Sequence, residues 1–265
     1  MPAQTSFHLR SWLLPLLALL VTISGCRANS ATWERIEQDG VLRVGLDPTY
    51  PPFEVTNENG VAGLDVDLAN ALADELGLRV EFVHFGYDGL YDALATEQVD
   101  ILISALVTVP GRTRDFAYSE PYFNAGEVLI VPGESSDISE MADLDSRILA
   151  VELGAQGHVE STQWEKRLPD LTIAPYNSAE EALAAVSGAE ADAALVDSIS
   201  GRLYLANQPD DQSPLKLIST PVTVEPFAMV VRIEDETLLE KINDSLNSLT
   251  ASGHLDQIIQ RWLGS

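Results

Sequence analysis

The sequence predicts an α/β protein built as two similar lobes, and three observations carry that prediction. Strand-like and helix-like apolar periods alternate along the chain, the alternation breaks off near Pro132 and then restarts, and strand-like and helical segments return once more after Val224. Alternation with short connections implies mainly parallel sheets covered by helices. A length of 265 residues suits one or two domains with a real core, and an apolar content of 46% separates the chain from disordered ones despite its charge.

Val41 to Leu46 reads as the first strand. Leu64, Leu68, Leu72 and Leu76 recur on one face, which predicts a helix over Leu64 to Leu76 that Gly77 stops. Arg79 to Val83 is a second strand, Gly89 to Ala95 a short helix and Ile101 to Ser104 a buried strand. After the restart come a strand over Arg147 to Val151, a helix over Gly157 to Arg167, a strand over Leu171 to Ala174 and a helix over Ser178 to Ser187. Ser178 and Glu181 have capping-box spacing, and Gly188 is the stop. Ala193 to Val196 is the next buried strand. Between the two units, Val128 to Val131 ends at Pro132 and Gly133, a composition shift that marks a crossing; Val224 to Phe227 marks a second. A strand over Ala228 to Val231 and helices over Asp235 to Leu249 and His254 to Leu263 follow. The expected organisation is one lobe of residues 33–130 and 228–265, a second of 131–227, and two crossings forming a hinge, with the last helices covering the first sheet.

Charge and cysteine count exclude several functions. With 15 Lys+Arg against 41 Asp+Glu, the net charge of −26 argues against a nucleic-acid partner. The one cysteine, Cys26, rules out an intramolecular disulfide and a cysteine-based zinc site, and the four histidines lack metal-ligand spacing. No phosphate-binding glycine loop and no nucleophile with an adjacent base is present, so neither a metal nor a cofactor is expected. At the start, Arg10 precedes an apolar run from Trp12 to Val21, shorter than the roughly 20 residues that span a bilayer but suited to a secretory signal. Residues 1–26 read as that signal and 27–32 as a polar tether. Ile23 to Cys26 resembles the bacterial lipobox, which implies a lipid-anchored, otherwise soluble chain outside the cytoplasm; an ordinary signal peptide is the plainer alternative.

Five motifs, in order and spacing, carry a wider resemblance: Leu42 to Glu54 with its Tyr-Pro-Pro-Phe-Glu ending, Gly63 to Leu68, Tyr87 to Gly89, Pro110 to Arg112 with Phe116 to Tyr122, and Ala191 to Asp197. From Val41 to Leu263 the chain resembles family 3 of the bacterial extracellular solute-binding proteins, the polar amino-acid branch of ABC importers. The resemblance implies a type II periplasmic-binding-protein clamshell with a ligand in the cleft and a permease as partner, acting as a monomer.

A free amino acid carries a carboxylate and an ammonium on one carbon, so its site must present both signs of charge. By resemblance Arg112 holds the carboxylate with its planar guanidinium, beside backbone N–H groups of Ser104, Ala105 and Val107. Ala105 and Val107 replace hydroxyl or glycine residues of many relatives. Asp197, at the C-terminal end of a predicted strand, is the implied ammonium partner, and it also suits a helix N-cap. Tyr50 and Tyr87 match rings that sandwich the ligand; on their own they read as core residues. Asp47 matches a side-chain contact and equally suits a turn before Pro48. In the second lobe the relatives' hydroxyl-rich turn becomes Gly154 to Gly157, in which Ala155 and Gln156 match ligand contacts, and Glu152 stands just ahead of it.

The implied function is capture of a basic or neutral polar amino acid and its delivery to the permease. Asp47 and Glu152 favour a cationic side chain on electrostatic grounds, with neutral polar ligands equally open. A second class is an enzyme, since the same fold serves a dehydratase of cyclohexadienyl acids; Glu152 would be its general acid. A third is a component presenting ligand to a sensor.

Overall fold

The computed structural model describes residues 31–58, 60–209 and 212–264. The signal, Cys26 and most of the tether lie outside the described residues. The tether's last two positions, Ala31 and Thr32, belong instead to a helix, Ala31–Asp39, because Trp33 and Ile36 share one face and pack onto the first core.

Two five-stranded sheets form the two lobes. In the first, Val41–Leu46 runs parallel to Arg79–His84 on one side and to Ile101–Leu102 on the other. Val230–Arg232 then inserts antiparallel between Ile101–Leu102 and Phe116–Tyr118. In the second, Thr172–Tyr176, Ile148–Glu152 and Ala193–Asp197 are parallel, Glu127–Pro132 runs antiparallel beside Ala193–Asp197, and Leu215–Leu217 pairs antiparallel with Glu127–Pro132 and so runs with the first three. Both sheets are therefore mixed. The parallel expectation holds where a helix carries the chain back across the sheet, and it yields where a strand arrives from the other lobe without one.

Helix Leu64–Leu76 buries Leu64, Leu68 and Leu72 completely. Gly77 ends it at φ 69°, where its N–H bonds Asp74 O and the next N–H, of Leu78, bonds Ala73 O, a left-handed closure that a side chain would strain. Helices Glu236–Ala251 and His254–Leu263 contribute Leu238, Ile242, Leu246, Leu255, Ile258 and Leu263 to the same core, so the chain's end covers the first sheet. Arg261 and Trp262 both donate to Asp67 Oδ2 at 2.8 Å and tie the last helix to Leu64–Leu76. The expected capping box at Ser178 forms by half. Its hydroxyl accepts the Glu181 N–H, but the Glu181 carboxylate reaches one residue further back, to the backbone and side chain of Asn177.

The first crossing differs from the expectation. Val128 to Val131 already belongs to the second sheet, and the chain crosses at Phe123–Asn124, which pairs antiparallel with Pro226–Phe227. The shift at Pro132 and Gly133 marks only the end of a strand. The real crossing has no compositional break because Phe123 is buried against the Phe53 and Phe227 rings, at 5.5 and 5.9 Å between centroids. Asn124 braces the crossing: its Oδ1 accepts the N–H groups of Glu225 and Gly126, and its carbonyl accepts the Ser198 hydroxyl.

Gly63 sets the entry to Leu64–Leu76 at φ 147° and ψ 174°, and a Cβ there would stand 1.9 Å from Phe53 O. Gly63→Ala should therefore cost at least about 2 kcal/mol of stability. Chemical denaturation of both proteins checks this, and an unchanged midpoint would refute it.

Candidate functional site

A cleft of about 330 Å³ opens where the first sheet meets the crossing strands. Six of the expected residues line it: Asp47, Tyr50, Tyr87, Ser104, Ala105 and Val107; Thr49, Glu225 and Phe227 complete it. Asp47 directly follows strand Val41–Leu46, and the local bonding explains its place. Its Oδ2 accepts the Tyr87 N–H at 2.8 Å, its Oδ1 accepts the Thr49 hydroxyl at 2.8 Å, and its own N–H donates to Ser104 Oγ. Asp47 thus holds both the Tyr87 turn and the Ser104 wall in register. Tyr50 lies stacked on Phe53, 5.6 Å between ring centroids and 11° from parallel. Tyr50 and Tyr87 remain 48% and 56% exposed while lining the cleft.

A buried carboxyl pair supports this wall from behind. Glu54 and Asp65 are both inaccessible to solvent. Asp65 Oδ2 accepts the Ala105 N–H at 2.6 Å and the Tyr122 hydroxyl at 3.0 Å, which fixes Ala105 in a left-handed conformation at φ 46°. The Glu54 carboxyl lies against Asp65 and Ser104. Burial, followed by the adjacent Asp65, pushes Glu54 far above the ordinary carboxylate range, and burial raises Asp65 as well. Two carboxyls this close cannot both ionise, so the pair retains a proton at neutral pH.

The other expected residues stand apart. Arg112 is exposed outside the cleft lining, its guanidinium stacked 4.0 Å over the Tyr91 ring. Asp197 caps helix Ser198–Asn207, with Oδ1 accepting the N–H groups of Ile199 and Ser200. Ala155 and Gln156 form the cap and first residue of helix Gln156–Glu165, after Gly154 at φ 85°. Glu152 lines a separate cavity with residues of helices Ala179–Ser187 and Ser198–Asn207. The sequence reading overlooked Glu225, although it sits in the Val224 to Phe227 crossing, and it overlooked Glu127. Glu127 lies directly opposite Asp197 in the antiparallel ladder and is only 5% exposed. Burial, then Asp197 and Glu225, push its carboxyl up to about 7. Its one sequence signal is a charge opening an otherwise apolar strand. No group of three or more His, Cys, Asp or Glu among the described residues is arranged to hold a metal ion.

A cleft at the C-terminal ends of the first sheet's parallel strands, beside the paired strands that cross to a second mixed α/β lobe, defines a bilobal solute-binding protein. The model of the bacterial extracellular solute-binding proteins, family 3, matches residues 42–265, and the chain belongs to that family. It is 25% identical over 258 residues to the arginine-binding extracellular protein ArtP of Bacillus subtilis, covering 96% of this chain and 98% of that one. The L-cystine solute receptor of Neisseria gonorrhoeae, in its unliganded open conformation, is similar at a TM-score of 0.76 and 26% identity, covering 88% of this chain and 97% of the receptor. An ancestral cyclohexadienyl dehydratase is similar at 0.75 and 25% identity, covering 88% of this chain and 96% of the dehydratase.

The raised carboxyls give a pH signature of folding. The stability their protons carry is complete below the ordinary carboxylate range and drains away as the pH rises towards the raised values. Glu54→Gln keeps the shape and removes the titration, so it should reduce the loss of stability between about pH 5 and about pH 8 by at least about 1 kcal/mol. Calorimetric melting across that range is the measurement; an unaltered slope would assign the retained proton elsewhere.

Proposed function

We propose that this chain captures a free polar amino acid, basic or neutral, outside the cytoplasm and delivers it to an ABC-type permease. The observation that carries the reading is the convergence of Asp47, Tyr50, Tyr87, Ser104, Ala105 and Val107 on one cleft of amino-acid size. The aromatic faces receive the ligand; the Ala105 N–H, expected to serve its carboxylate, is instead committed to Asp65 Oδ2 because that buried oxygen needs the donor. Arg112 supplies the counter-charge by leaving the Tyr91 face, and Asp197 receives the ammonium through the oxygen not engaged in capping. These two residues stand on different lobes, the first defined by residues up to the Phe123–Asn124 crossing and from Phe227 onward, the second lying between. One ligand satisfies both only when the lobes close about the crossing strands. No catalytic step is assigned. The arginine-binding relative supports a receptor, and the carboxyl nominated as general acid, Glu152, lines a cavity other than the cleft.

Thermal shift against the free amino acids identifies the ligand, since saturation at about 100 times Kd adds about 2.7 kcal/mol. Arg112→Ala and Asp197→Asn should each weaken that ligand by about 30-fold or more, because a desolvated charge loses its partner. Small-angle scattering should give a monomer that contracts with ligand, and neither contraction nor affinity loss would be left if the cleft were not the site.

The anchor is the second part of the proposal. Cys26, following the apolar run Trp12 to Val21, becomes the acylated first residue of the mature protein; more than one acyl chain is needed for stable attachment. Cys26→Ser should release the protein from membranes or block its processing. Normal cleavage with undiminished membrane attachment would defeat the lipid reading.

A further inference from the structure

The crossing strands form a narrow ribbon with a cavity at each edge. Val107 bridges to Phe227 at one edge, and the cleft, lined by Val107, Glu225 and Phe227, lies there. At the other edge Phe123 and Asn124 line a second cavity of about 350 Å³, closed further out by Arg202 of the second lobe and Ile259 of the last helix. The two cavities share no lining residue. They flank the ribbon, so a rotation of the lobes about it that narrows one widens the other.

Helix Ser198–Asn207 of the second lobe reaches over the rear cavity to the first lobe. Its start is pinned to the ribbon, where the Ser198 hydroxyl donates to Asn124 O at 2.6 Å. Ile199, Leu203 and Ala206 follow at spacings of four and three residues and therefore share one face. Ile199 and Leu203 pack against the core of the first lobe. Ala206 meets the chain's end: a Cβ on Gly264 would stand 2.4 Å from Ala206 Cβ and 3.5 Å from Arg202 O, so only glycine fits there. With a rise of about 1.5 Å per residue, Ala206 lies about 14 Å along the helix from Asp197, and rotation about the ribbon displaces that far end most. On the other side, the cleft is lined by first-lobe and crossing residues alone, while Asp197, Glu152, Ala155 and Gln156 of the second lobe stand outside it.

We propose that the face formed by Ile199, Leu203 and Ala206 is a rear latch that holds the lobes apart in the empty protein and must part before the cleft closes. Residues that never touch the ligand thereby set its affinity. A ligand held by both lobes stabilises only the closed form, so its apparent Kd rises in proportion as the closed fraction falls, and apolar contact made only in the open form lowers that fraction. The proposal rests on closure as described above and is independent of which amino acid is bound.

Two substitutions weaken the latch without altering the cleft. Leu203→Ala removes part of the apolar face, and Ala206→Leu places a larger side chain where Gly264 leaves no room. Small-angle scattering of each empty variant should give a smaller radius of gyration than the unaltered protein. Calorimetry with L-arginine, L-lysine, L-histidine and L-glutamine should show that whichever binds the unaltered protein binds the variants about threefold more tightly or better. Melting curves establish that each variant is folded, and Ala206→Leu alone carries the test if Leu203→Ala is not. A contact that serves stability only would lower the melting temperature while radius and affinity stay put, and that result, or weaker binding, would overturn the latch. Should none of the four amino acids bind the unaltered protein, the amino-acid reading fails; contraction of the empty variants would still uphold the latch, and its absence would overturn it.

Discussion

Asp65 holds the cleft together. One buried oxygen receives the Ala105 amide from the cleft wall and the Tyr122 hydroxyl from the segment entering the crossing, while its own backbone opens helix Leu64–Leu76 and its neighbour Glu54 closes the space behind. Three chain segments that are distant in sequence thereby share one acceptor. A buried carboxyl is costly unless its lone pairs are used or a proton is retained; here Oδ2 takes two donors, Oδ1 takes none, and the pair with Glu54 retains a proton. The wall beside Ser104 is rigid because releasing it would strand that acceptor.

Acidic side chains also gather at one end of the second sheet. Asp65 gathers two donors on one oxygen and leaves the other buried without a partner, whereas Glu127 stands beside Asp197, one oxygen of which is committed to a helix end. Like charges so placed repel one another more strongly the less water surrounds them. The net charge of −26 adds a long-range bias towards cations, screened within about 8 Å at physiological ionic strength.

Local periodicity made most of the first lobe legible. Leu64–Leu76 and His254–Leu263 occupy the spans read from the sequence, because leucine spacing and glycine stops are local signals. Strand partnership was less legible. Val128 to Val131 is apolar on both faces, which fits a central strand of either sheet, and only the ladder to Ala193–Asp197 decides which. The first-lobe wall of the site was visible as motifs, while its support was not: nothing near Glu54 announces a carboxyl neighbour contributed by the next helix. Glu127 escaped notice for a related reason, since a single charge at a strand end reads as solvent-facing until the opposing strand brings Asp197 beside it.

Val230–Arg232, a late segment of the chain, lies inside the first sheet between two strands made much earlier, Ile101–Leu102 and Phe116–Tyr118. A polypeptide emerging N-terminus first can complete the second lobe's sheet while the first still has a vacant slot and an uncovered apolar face. The first lobe becomes a finished fold only after the final helices have emerged. The sheet of the second lobe can therefore close before that of the first, and the clamshell matures from its middle outward.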